Sequence, residues 1–213
     1  MKGIGTDAVV ASFRPDLSRL RFSTYFGGNG DEQIGGLALG SDDSITIVGT
    51  TYSTDLAQRY GSGSDVLKGA TDVFVARLSA DGSSKLGFRL IGGSSSESVT
   101  GAALDAAGNL VFGGNTLSVD YPVTPNSPFS KKPSSNDYSQ FLTVLGPDLS
   151  LRFSTYLGGN GRDTFQGPNL LPDGRIWLTG TTMSTDLPVS STAISGSPLG
   201  LEDVYVMLLD WRR

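Results

Sequence analysis

Apolar and polar positions alternate along this chain in runs too short for helices, each closed by Asp, Gly, Asn or Pro. Val73-Phe74-Val75-Ala76-Arg77-Leu78 is a β-branched and aromatic run, followed by the turn Ala80-Asp81-Gly82-Ser83 and a second run, Leu86-Gly87-Phe88-Arg89-Leu90-Ile91. The small-residue strand Gly101 to Asp105 likewise turns through Ala106-Ala107-Gly108-Asn109 into Leu110-Val111-Phe112-Gly113-Gly114. Asp-Gly and Gly-Asn between apolar runs are strong hairpin signals, because tight turns need positive φ. No segment holds a helical period over even three turns, so the pattern predicts antiparallel strand pairs and an all-β fold.

The pattern also repeats. Gly27-Gly28, Gly92-Gly93 and Gly158-Gly159 anchor three copies about 65 residues apart, and Arg21-Phe22-Ser23-Thr24-Tyr25 returns as Arg152-Phe153-Ser154-Thr155-Tyr156. Each copy reads as four short strands, with Ser/Thr/Gly/Pro-rich insertions at residues 53–70, 118–136 and 184–200 between the second and third. The repeats run approximately over 7–71, 72–138 and 139–203 of one domain, with 204–213 a closing strand. Four strands per unit fit a β-propeller. The chain opens on a third strand (Ala8 to Phe13) and a fourth (Leu20 to Tyr25) and closes on a third (Val204 to Leu209). That makes thirteen strands, or about three blades, fewer than the roughly 4–8 that close a ring. The expectation is a partial propeller, completed by another chain or belonging to a longer one, with its terminal segments at interfaces.

The order Phe-Ser-Thr-Tyr-[Phe/Leu]-Gly-Gly-x-Gly, then Gly-x-Thr-x-Ser-x-Asp-[Leu/Tyr]-Pro, then Asp-Val-[Phe/Tyr]-Val resembles the bacterial β-propeller repeat called SBBP. Its pieces here include Gly49-Thr50-Thr51-Tyr52-Ser53-Thr54-Asp55-Leu56, Gly180-Thr181-Thr182-Met183-Ser184-Thr185-Asp186-Leu187-Pro188, Asp72-Val73-Phe74-Val75 and Asp203-Val204-Tyr205-Val206. The middle copy departs most, with Phe88-Arg89-Leu90-Ile91, and the third holds Pro168-Asn169 where small apolar residues belong. The resemblance implies an extracellular, cell-surface or periplasmic bacterial protein and no particular chemistry.

Composition narrows the function. With 29 Gly, 10 Pro and 17% charged residues, the chain disfavours helices, and a net charge of −5 argues against a nucleic-acid partner. Lys131-Lys132 is too small a basic cluster to change that. No Cys and no His are present, which excludes Cys/His zinc sites, thiol nucleophiles and a Ser-His-Asp triad within this sequence. No 18-residue apolar run and no signal-peptide h-region occur, so no transmembrane helix is expected, while peripheral association with a membrane complex stays open.

Gly158 to Gln166 fits the calcium nonapeptide once, without the tandem stacking such sites need. Its acid recurs as Glu32, Glu97 and Asp163, which could hold Ca²⁺ if the loops meet around a channel. Otherwise the Gly-Gly segments are crossovers between outer and inner strands, with φ > 0 expected at the glycines. Ser53/Asp55, Ser118/Asp120 and Ser184/Asp186 read as turn carboxylates bonding their own backbone. Tyr25, Tyr156, Phe74 and Tyr205 are expected in the core. Tyr52, Tyr60, Tyr121 and Phe129 in the insertions and the terminal Trp211 are candidate partner or ligand contacts. The resulting expectation is a non-catalytic scaffold or binding module for protein–protein interaction in a bacterial envelope or surface assembly, not an enzyme and without a required cofactor. The alternatives are a lectin-like propeller and a Ca-dependent hydrolase or lyase using channel carboxylates.

Overall fold

A computed structural model describes residues 5–61, 65–133 and 138–212. The described residues are all-β, with thirteen strands and one five-residue helix among them. The strands are β1 (Ala8–Phe13), β2 (Leu20–Phe26), β3 (Glu32–Leu39), β4 (Ile45–Thr51), β5 (Asp72–Leu78), β6 (Lys85–Ile91) and β7 (Glu97–Leu104). They continue as β8 (Leu110–Thr116), β9 (Ser139–Leu145), β10 (Leu151–Leu157), β11 (Asn169–Leu170), β12 (Ile176–Thr182) and β13 (Asp203–Leu209). Helix α1 (Leu56–Tyr60) lies in the first insertion.

The thirteen strands distribute over four antiparallel sheets, a pair and a triplet flanking two full sets of four: β1-β2, β3-β4-β5-β6, β7-β8-β9-β10 and β11-β12-β13. Each pairing joins chain neighbours, so every sheet is a meander. Hairpin turns share one device. In Asp16-Leu17-Ser18, Asp42-Asp43-Ser44, Asp81-Gly82-Ser83 and Asp148-Leu149-Ser150, the Asp carboxylate accepts the backbone N–H two residues on, at 3.0–3.1 Å. The middle residue takes positive φ: 58° at Leu17, 59° at Asp43, 68° at Gly82 and 60° at Leu149. The carboxylate fixes the turn even where a Cβ makes that conformation costly. Pro168 precedes β11, and that strand is only two residues long.

The sheets pack face to face through three apolar layers. Ala8, Val10 and Phe26 of the first sheet meet Ile45, Ile47, Phe74 and Ala76 of the second. Val48, Val73 and Val75 on the second sheet's other face meet Phe112, Phe141 and Leu145 of the third. Val111, Leu142 and Val144 then meet Ile176 and Leu178 of the fourth. The central strands of the two middle sheets are covered on both faces, so β4 and β9 are buried throughout and lose the alternation a half-exposed strand shows. β1 and β13 keep it, because the first and fourth sheets are each covered on one face only. Tyr25 shows the consequence: expected in the core, it is 76% exposed, whereas Tyr156 at the same repeat position is buried.

The insertions tie down unequally. In the first, Leu56 and Ala57 of α1 are buried and Tyr60 stacks on Phe26 at 4.2 Å between ring centroids. In the second, Tyr121 is sealed against Phe141 at 4.4 Å, and Phe129 packs on the adjoining layers. The third has no outer strand beside β13 to lie on, and its Ile194 and Leu199 stand in solvent.

Candidate functional site

The recurring acids, Ser-x-Asp triplets and Gly-Gly pairs converge on one corner motif, built three times. Glu32 pairs across the strands with Thr51, Glu97 with Thr116 and Asp163 with Thr182. Thr51 Oγ1 donates to Glu32 and Thr116 Oγ1 to Glu97, each at 2.6 Å, and Thr182 Oγ1 donates to Asp163. The backbone N–H of the second glycine donates to the same carboxylate: Gly28 at 2.9 Å, Gly93 at 3.0 Å and Gly159 at 2.7 Å. Ser53 Oγ adds a third donor to Glu32, and Ser184 Oγ one to Asp163. All three acids are buried.

The Ser-x-Asp triplet closes the corner from outside. Asp55, Asp120 and Asp186 accept the backbone N–H of Asn29, Ser94 and Asn160 at 2.7–2.8 Å. These partners lie across the corner, which corrects the expectation that such carboxylates bond their own turn. Gly30, Ser95 and Gly161 donate N–H to Ser53, Ser118 and Ser184. The glycines matter through space rather than backbone angle. Of the six, Gly158 alone has positive φ (109°). A Cβ on Gly93 would lie 2.6 Å from Asp120 Oδ1 and 2.7 Å from Ser118 Oγ, so only glycine lets the two segments approach.

This geometry does not gather the acids around a channel ion. Glu32, Glu97 and Asp163 belong to separate corners, and among the described residues no three carboxylates group as a metal site would require. Each carboxylate also faces a backbone N–H, a donor that a cation's ligand sphere excludes. What the corner does chemically is satisfy buried carboxyl oxygens with directed donors, a condition for keeping such polar groups in the interior.

A second carboxylate escaped the sequence reading. Asp72 Oδ1 and Glu97 Oε2 converge on the space a Cβ of Gly92 would fill, and Asp7 and Glu32 converge on that of Gly27 in the same way. Burial pushes the Asp72 carboxyl up to about 6 against the opposing pull of the Lys68 and Gly69 N–H groups, and Glu97 adds to the rise. The signal was available, since Thr6-Asp7 and Thr71-Asp72 recur before the third strands. In the third corner Gln140 stands beside Asp163, donating to its backbone carbonyl, and its Oε1 is buried without a partner.

Of the aromatic contact candidates, Tyr52 is 49% exposed and Tyr60 is half-buried against Phe26 and Phe88. Tyr121 belongs to the core instead. It is 2% exposed, its hydroxyl pairs with Thr143 at 2.9 Å, and its backbone N–H donates to the Tyr156 hydroxyl. Phe129 is partly buried, and Trp211 packs on the third apolar layer with its indole N–H buried and unpaired. No helix is long and apolar enough to cross a membrane among the described residues. No family model matches the chain, and no curated protein matches it either.

Proposed function

We propose that this chain is part of an SBBP-like β-propeller and serves as a non-catalytic scaffold or binding module for protein–protein interaction in a bacterial envelope or surface assembly. The observation that supports this best is the fate of the recurring polar residues. Thr, Ser and carboxylate side chains at each corner are spent on one another and on the Gly-Gly backbone. A buried, donor-saturated carboxylate holds a corner together and offers neither a free base nor an open coordination position. The outward faces of the first and fourth sheets, by contrast, each carry a row of exposed apolar side chains, where a partner would sit.

The propeller reading rests on the repeat, the four-stranded meanders and the face-to-face stacking of successive sheets. The envelope or surface location rests on the resemblance of the repeats. The test is thermal melting with calcium and with a chelator, together with a glycan-array screen. A scaffold shows the same melting temperature in both conditions and no sugar binding. A calcium-dependent rise, or saturable binding to a glycan, would replace this reading with the Ca-dependent enzyme or the lectin.

A further inference from the structure

The four sheets stack with one polarity. In the third strands, Ala8 and Val10, Val73 and Val75, and Leu142 point toward the following sheet, while Phe74 and Phe141, between them, point toward the preceding one. The forward positions are Val73 and Val75 in the second sheet and Leu142 in the third, all fully buried. Their counterparts in the fourth sheet are Val204 and Val206, at 76% and 63% exposure, with Leu208 and Trp177 beside them on the same face. The backward positions are Phe74, Leu78 and Leu90 in the second sheet and Phe141, Leu145 and Tyr156 in the third, all buried. Their counterparts in the first sheet are Val9, Phe13 and Tyr25, at 56%, 50% and 76% exposure. Along the third strands, one molecule thus carries both halves of an interface that it forms internally, one half at each end. The Leu90 and Tyr156 positions are instead covered by their own sheet's insertion, through α1 and Tyr121.

We propose that a second copy of this chain docks head to tail, the forward face of its fourth sheet covering the backward face of the first sheet of its neighbour. The proposal deepens the scaffold reading above by naming the partner and the surface. Three features favour this occupant. The two faces continue an interface whose chemistry the chain has already solved at every internal junction. They differ from each other, which favours a heterologous contact over self-pairing of either face. Residues 184–199 also overhang the forward face and leave an open cleft of about 1090 Å³ bounded by Trp177, Val204, Val206 and Leu208. Such a cleft has room for a row of side chains like Phe13 and Tyr25. Repeated head-to-tail contacts close into a ring if the rotation permits and otherwise extend as a filament.

The chain contains no cysteine, so single thiols can be placed without interference. Val9→Cys and Val206→Cys are made separately, mixed, and bridged with a short bismaleimide. Head-to-tail docking gives a cross-linked species in the mixture that neither variant gives alone. Light scattering of the native chain should report at least twice the single-chain mass, and Val206→Asp should return it to a single chain with an unchanged circular dichroism spectrum. A monomer at all concentrations overturns the proposal, as does cross-linking of Val206→Cys to itself with none in the mixture. Either failure leaves the scaffold reading standing with a foreign partner, because calcium and glycan binding test that reading separately.

Discussion

Leu17 sits at φ 58°, is 76% exposed, and is held there by the Asp16 carboxylate and the hairpin. A left-handed residue with a Cβ costs roughly 1–2 kcal/mol, and glycine gives part of that back as unfolded-chain entropy. Leu17→Gly should therefore stabilise the chain by about 0.5–1 kcal/mol in urea unfolding. Asp72 makes a pH-dependent claim. Its folded pKa, about 6, lies above its ordinary value of 3.8, so the folded chain holds this proton more tightly than the unfolded one. The resulting stabilisation is complete below the unfolded value and is lost as pH rises through about 6. Asp72→Asn cannot ionise, so stability measured at about pH 4 and about pH 8 should fall less in the variant, by on the order of 1–3 kcal/mol. Parallel pH curves for the two proteins would show that Asp72 does not carry the effect.

At the scale of strands and corners, much was legible. Turn chemistry and β-branched runs located the strands to within a residue or two at Ala8–Phe13, Leu20–Phe26 and Asp203–Leu209. The repeat singled out Glu32, Glu97 and Asp163 together with the Ser-x-Asp triplets. Their partnership was hidden because it joins residues 19 to 26 positions apart across strand pairs, as in Thr116 with Glu97 and Ser94 with Asp120. Tyr121 was misread for a related reason: an insertion looks exposed in sequence until it is seen folding back onto the outer strand β10 through Tyr156. The corner can be probed directly. Thr116→Val removes the donor to Glu97 and the acceptor for the Ser118 N–H, leaving buried groups unpaired. It should cost about 2–4 kcal/mol, with Thr116→Ser recovering most of the loss. Gly93→Ala should cost at least about 2 kcal/mol by steric overlap with Ser118 and Asp120, although Gly93 needs no positive φ. Near-zero losses in both would mean that the corner is decoration rather than a joint.

For the whole molecule, cost depends on where a sheet stands in the stack rather than on residue type. Val75 and Val206 occupy the same position of the same repeat, yet Val75 is sealed between two sheets and Val206 faces outward. Sequence treats them alike, because a repeat records the interface and not which copies are left uncovered. This is also why Tyr25 reads as core and stands exposed. Val75→Asp buries an unpaired carboxylate in an apolar layer and should cost about 4 kcal/mol or more, or prevent folding. Val206→Asp places the same charge in water and should change the stability of a single chain by no more than about 0.5 kcal/mol. Urea unfolding at low protein concentration isolates the intrachain term, and repeating it at high concentration adds any stabilisation that association brings. The native chain should then gain stability with concentration while Val206→Asp does not. Equal losses for the two aspartates in dilute solution would place Val206 inside the fold of one chain, covered by another part of the same molecule.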